Sequence, residues 1–191
     1  MFSNKDLRKL IIPLVIEQLL AVTIGMADTV MVSSCGEAAV SGISLVDSIN
    51  FLLITLFSSL ATGGAVIASQ YIGRGDHKSA SLAAKQLFYA SLALSAVLGV
   101  IAVFFRKPVL NMVFGSIEAD VMAHAQIYFL LSAISYPFLA VYNAGAALFR
   151  SMGDSRTTML ISILMNTINI VGNAILIYGF QMAAAGAATA S

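Results

Sequence analysis

The stretch "GMADTVMVSS", residues 25–34, decides the fold, because it sets one acid, Asp28, inside a long apolar run. An α-helix needs about 20 apolar residues to cross a hydrocarbon core of about 30 Å, and runs of that length recur along the chain. Spans are expected near 10–33, 41–68, 86–105, 123–148 and 157–179, with a sixth apolar run starting at 182. The chain stops about ten residues into that sixth run, roughly half a crossing. The 191 residues are 59% hydrophobic and 10% charged, far from the roughly one-quarter charged average of soluble domains. The expected fold is therefore all-α, a polytopic membrane helix bundle seated in a lipid bilayer, with its sixth helix cut short.

Between the spans lie "SSCGEAAVSG" (33–42), "GRGDHKSAS" (73–81), "RKPVLNMVFGSIEAD" (106–120), "RSMGDSR" (150–156) and "YGFQ" (178–181), rich in the glycine, proline and charge that mark turns. Lys5, Arg8, Lys9, Arg74, Lys78, Lys85, Arg150 and Arg156 fall on one side of the membrane under this reading, and Arg106 and Lys107 on the other. The positive-inside rule then puts the amino terminus in the cytoplasm of a multi-pass cell-membrane protein, with the charged segments acting as topology determinants. In the third span Ser91, Ser95 and Gly99 stand four apart, a face suited to close helix packing. Pro137 interrupts the backbone bonding of the fourth and predicts a kink.

Several function classes fall away. A net charge of +1 with no basic block offers nothing to hold nucleic acid. The single cysteine, Cys35, makes neither an internal disulfide nor a thiolate cluster. No nucleophile elbow, HExxH or Cys–His pairing is present, and His77 and His124 sit singly in or beside loops, so the chain does not read as an enzyme.

What remains is a set of polar residues in lipid. A carboxylate at the bilayer centre costs about 2.5–3.5 kcal/mol on insertion scales and usually faces a bundle interior or a wet cavity. Asp28 therefore needs polar company. In the fifth span Ser162, Asn166, Asn169 and Asn173 recur at spacings of four, three and four, one helical stripe. Amide stripes also serve as interhelical glue. Asp47 and Asn50 share a face of the second span, and Glu17 lies on the same face as Asp28 about 16 Å nearer the cytoplasm. With the amino terminus inside, Asp28, Asp47, Asn50, Asn169, Asn173 and Ser191 are expected at one depth in the outer half, forming or extending a polar cavity. Asn166 is expected to line more of it, whereas Glu17, toward the cytoplasmic half, is expected in a different neighbourhood, where it would line an additional polar cavity. Carboxylate, amide and hydroxyl oxygens suit a hard cation, making Asp28, Asn169 and Asn173 candidate Na⁺ ligands, and a desolvated carboxylate suits a proton.

Five fragments carry a resemblance: "DTVMVSSCGEAAVSG" (28–42), "ASQYIGRGD" (68–76), "ALFRSMGDSRTTM" (147–159), "NTINIVGNAILIYG" (166–179) and "AAGAATAS" (184–191). Their order and spacing resemble the amino-terminal lobe of the multidrug and toxic compound extrusion (MATE) transporters over nearly the whole chain, residues 1–191. The resemblance implies one six-helix lobe of a twelve-helix protein, with a second, carboxy-terminal lobe as partner. It implies export of organic cations and drugs in exchange for Na⁺ or H⁺ by alternating access, without a cofactor. It also implies that Asp28, Asn169, Asn173 and Ser191 are the ion-binding, coupling residues. Asn173 departs from members that carry aspartate there, which leaves one fewer titratable group. Two other readings stand beside this one: a lipid-linked precursor flippase, disfavoured by the nearly charge-free third and fourth spans, and a non-transporting scaffold or inactive fragment.

Overall fold

The computed structural model describes residues 4–33 and 36–179, excepting the side chains of residues 4–6, 24, 27–29, 31 and 177–179. They form α1 (Asn4–Ser33), α2 (Glu37–Gly73), α3 (His77–Phe114), α4 (Ala119–Ser151) and α5 (Ser155–Asn173), followed by a π-helical turn, Ala174–Gly179. Each expected span falls within one of these elements, the fifth running on into the π-helical turn. By length and composition α2, α3, α4 and the segment Ser155–Leu176 can each cross a membrane. The sixth run, from 182, lies outside the described residues.

The expected loops are shorter than read, since residues 37–42 already belong to α2 and residues 77–81 to α3. Residues 106–114, read as part of a turn, continue α3 beyond a break at Phe105 (φ −113°, ψ 23°). Pro108 lacks an amide and so cannot sit deep in a helix, but it is tolerated in a first turn. The break at Phe105 makes the segment after it a new start, and Pro108 occupies that first turn.

The α2–α3 and α4–α5 connections are built alike. In each, a glycine with positive φ, Gly75 (77°) or Gly153 (86°), ends the preceding helix. The amides of Gly75 and Asp76 donate to the carbonyls of Ile72 and Tyr71, and those of Gly153 and Asp154 to Arg150 and Phe149. This is the paired bonding of a Schellman cap, in which glycine takes the left-handed position without a Cβ clash. The next residue starts the following helix: Asp76 accepts from the Ser79 amide (3.0 Å) and Asp154 from the Thr157 amide (3.1 Å). A single Gly-Asp pair thus closes one helix and caps the next, which holds each turn to a few residues.

α4 is the hub of the bundle, packing along both α2 and α3, which also pack on each other. Gly42 of α2 brings the backbones so near that an added Cβ would lie 2.8 Å from the Val121 carbonyl oxygen. Ser91, Ser95 and Gly99 are all buried, as their spacing predicts. α4 passes through Pro137 with no non-helical residue inside it, so the interruption expected there is absorbed within a continuous helix. Proline at 137 leaves the Ala133 carbonyl without its usual helical donor, and Gly99 of α3 lies against that oxygen. α1 and α5 form a second pair, packed side by side and joined to the rest more sparingly, in part through Val32, which reaches the main apolar core.

Candidate functional site

α5 is inside out. Its buried residues are Ser155, Thr158, Ser162 and Asn173, all polar, while Leu164, Ile168 and Val171 are exposed. Lipid solvates apolar side chains, so a membrane helix turns its polar face toward protein. The inward face is the stripe read from the spacing. Asn173, wholly buried, donates from Nδ2 to Asn169 Oδ1 at 3.3 Å, and Asn166 donates from Nδ2 to Ser162 Oγ at 3.3 Å. The neighbour packed along α5 is α1, the helix that carries position 28. The side chain of Asp28 lies outside the described residues, as does Ser191. Directly after Asn173 the helix widens into the π-helical turn, which also packs on α1. Such turns are frequent at functional sites.

Asp47 and Asn50 belong to a different contact. Tyr128 Oη donates to Asp47 Oδ1 at 2.9 Å, Tyr136 Oη donates to Asn50 Oδ1 at 2.8 Å, and Asn50 Nδ2 donates to Ser132 Oγ at 3.2 Å. α2 and α4 run parallel here, so residues three apart on one meet residues four apart on the other. The partners of Asp47 and Asn50 are thus on α4, between helices of the three-helix group, rather than on the amide stripe of α5. Tyr128, Ser132 and Tyr136 were not singled out in the sequence. Their four-residue spacing was visible, but aromatic residues so spaced also read as ordinary core.

Glu17 does have its own neighbourhood, and it is an ionic one. Arg150 Nη1 donates to Glu17 Oε1 at 3.1 Å, and Thr158 Oγ1 donates to Glu17 Oε2 at 3.3 Å. Three elements meet at this carboxylate: α1, the end of α4 and the first turn of α5. Arg150, read only as a topology determinant, is here an internal partner, with a side chain 31% exposed. These contacts put the Gly153-Asp154 turn at the end of the bundle where α1 starts, and the parallel course of α2 and α4 puts the Gly75-Asp76 turn there too. Eight of the ten lysines and arginines lie in the segments that meet at this end.

Among the described residues, an all-helical bundle with four helices long and apolar enough to cross a membrane, and with much of its apolar surface exposed, defines a polytopic membrane protein. The MatE family model matches residues 13–175, and the chain belongs to the MATE family of transporters, which are not enzymes. Among curated relatives it is 30% identical over 168 residues to the uncharacterized transporter YisQ of Bacillus subtilis, covering 87% of this chain and 36% of that protein. It is 29% identical to the probable multidrug resistance protein NorM of Thermotoga maritima, covering 98% of this chain and 41% of that one. A MATE crystal structure in complex with MaD3S superposes with a TM-score of 0.90 at 24% identity, over 97% of this chain and 41% of the other. A MOP superfamily transporter from Pyrococcus furiosus, whose reversed binding-pocket polarity is said to suggest a different function, superposes at 0.84 with 26% identity, again over 97% and 41%. The chain spans about two-fifths of the length of the relatives it matches.

Proposed function

We propose that this chain is the amino-terminal lobe, over residues 1–191, of a cation-coupled antiporter that exports organic cations and drugs by alternating access. Na⁺ or H⁺ is the coupling ion, and a second, carboxy-terminal lobe completes the transporter in the cell membrane with the amino terminus cytoplasmic. The observation that carries this reading is the inverted face of α5: its buried side chains are polar, and the helix beside it bears Asp28. The buried set on α5 combines three hydroxyls and an amide, oxygens of the kind a hard coupling ion takes. In this reading Asp28, Asn169, Asn173 and Ser191 bind the coupling ion. Ion binding favours one arrangement of the lobe and drug binding the other, so linkage couples the two fluxes. Each ligand contributes only its difference in affinity between the two arrangements.

The test is transport by the full-length protein in vesicles. Export of a fluorescent organic cation driven by an imposed Na⁺ or H⁺ gradient is expected, and Asp28→Asn is expected to abolish it while membrane insertion persists. Undiminished gradient-driven export by Asp28→Asn would refute the proposal.

A further inference from the structure

At the end of the bundle that holds the Gly-Asp turns, a cleft of about 880 Å³ opens between the start of α1 and the start of α5. Its polar rim carries Arg8 and Lys9 from α1 and Arg156 from α5, and its wall is Ile12, Ile16 and Met159. Among the described residues the ion pair is Glu17–Arg150, so these three cations are in no salt bridge of that set. Asp154, the acid on the rim, is already engaged: Oδ1 accepts the Thr157 amide and Oδ2 its hydroxyl at 2.6 Å. The cleft thus presents net positive charge at one end and hydrocarbon at the other.

The two ends follow one another along the axis of α1. From Arg8 to Ile16 is about 12 Å of helix, and beyond it α1 goes on exposing apolar side chains, with Leu19 62% and Val22 56% exposed. A small free anion would use the cations and leave the wall idle. A phospholipid uses both, its phosphate on the guanidinium and ammonium groups and its acyl chains along Ile12 and Ile16. Arginine suits that phosphate because its planar fork can donate two parallel bonds, and basic pockets between membrane helices on the cytoplasmic side are recognised headgroup sites.

We infer that the cleft between α1 and α5 binds an anionic phospholipid, with Arg8, Lys9 and Arg156 on its headgroup and Ile12, Ile16 and Met159 against its acyl chains. The inference concerns a face of the lobe other than the amide stripe and does not depend on the coupling chemistry. Occupancy would tie the start of α1 to the α4–α5 turn, next to the Glu17–Arg150 pair.

The test measures lipid retained by the full-length protein, purified from vesicles of phosphatidylethanolamine and phosphatidylglycerol and read by native mass spectrometry. Selective retention of phosphatidylglycerol is expected. Joint Arg8→Gln, Lys9→Gln and Arg156→Gln replacement should weaken it on the order of 100-fold, at roughly fivefold per cation. Arg74→Gln with Lys78→Gln, which removes charge from the other turn, should leave it unchanged. Ile12→Asp, with all three cations kept, should also weaken retention. Should the triple variant fail to insert, Arg8→Lys with Arg156→Lys is expected to retain the lipid and Ile12→Asp to lose it. Retention untouched by the triple variant or by Ile12→Asp, equal loss in the Arg74/Lys78 control, or displacement by millimolar inorganic phosphate alone would each overturn the inference. Cation export, assayed in the same preparations, reports on the antiporter proposal separately.

Discussion

Gly99 of α3 lies against the Ala133 carbonyl oxygen of α4, the oxygen that Pro137 deprives of its helical donor; a Cβ at Gly99 would stand 3.1 Å from it. A weak Cα–H donor fits that position, and a side chain does not. Gly99→Leu should therefore lower thermal stability by about 1–3 kcal/mol, the usual cost of overpacking. Gly63 on α2 has nothing within 4 Å of an added Cβ, so Gly63→Ala should be neutral or mildly stabilising. Thermal unfolding of the two variants in detergent checks the pair, and equal effects would contradict the packing argument.

Glu17 and Arg150 join helices distant in sequence and are only partly exposed, at 16% and 31% of their side chains. A double-mutant cycle with Glu17→Gln and Arg150→Gln should give a coupling of about 1–2 kcal/mol, within the range for residues in direct contact. Additive losses would show that the pair contributes nothing beyond its separate side chains. Thr158→Ala should add a smaller loss, since its single hydroxyl proton is shared between Glu17 Oε2 at 3.3 Å and the Ser155 carbonyl at 3.0 Å.

The Tyr136 hydroxyl bonds Asn50, while its ring packs edge-on against Phe57 with centroids 6.1 Å apart. Tyr136→Phe keeps the ring and loses the bond, so the expected cost is about 0.5–1.5 kcal/mol. Tyr136→Ala empties a wholly buried site and should cost about 3–5 kcal/mol. Similar melting temperatures for the two variants would contradict this division between bond and ring.

Asp154 and Asp76 cap α5 and α3 from outside the membrane, and bonds from Thr157 and Ser79, side chain first and then amide, hold their carboxyls below the ordinary range. A carboxyl with a lowered folded value stabilises the fold fully above its unfolded value, about 3.9. That contribution is lost as pH falls through 3.9 toward the folded value. Asp154→Asn keeps a neutral cap and should reduce the acid sensitivity of unfolding below about pH 4. Parallel pH profiles for wild type and variant would contradict the assignment.

The class of fold was readable because lipid imposes length and composition on each crossing, and the turns because Gly75-Asp76 and Gly153-Asp154 have few conformations open to them. The face of α5 was readable because three amides and a serine repeat at helical spacing. Contacts between distant segments were not. Nothing local to Glu17 announces Arg150, 133 residues away, and nothing around Asp47 selects Tyr128 over the amides of α5, because pairing depends on how whole helices cross. Residues 106–114 were misread because Arg-Lys-Pro is a breaker signal whose meaning reverses when the proline falls in a first turn.

The central claim is that Asp28 and the Asn169–Asn173 pair serve one ion. Melting of the full-length protein, measured against Na⁺ concentration and against pH, tests it most directly, because a ligand that binds the folded state raises stability with concentration. The account predicts an ion-dependent rise in melting temperature that Asp28→Asn and Asn173→Leu each remove, with the double variant losing no more than either alone. A rise that survives Asp28→Asn, or separate additive losses from the two positions, would contradict it.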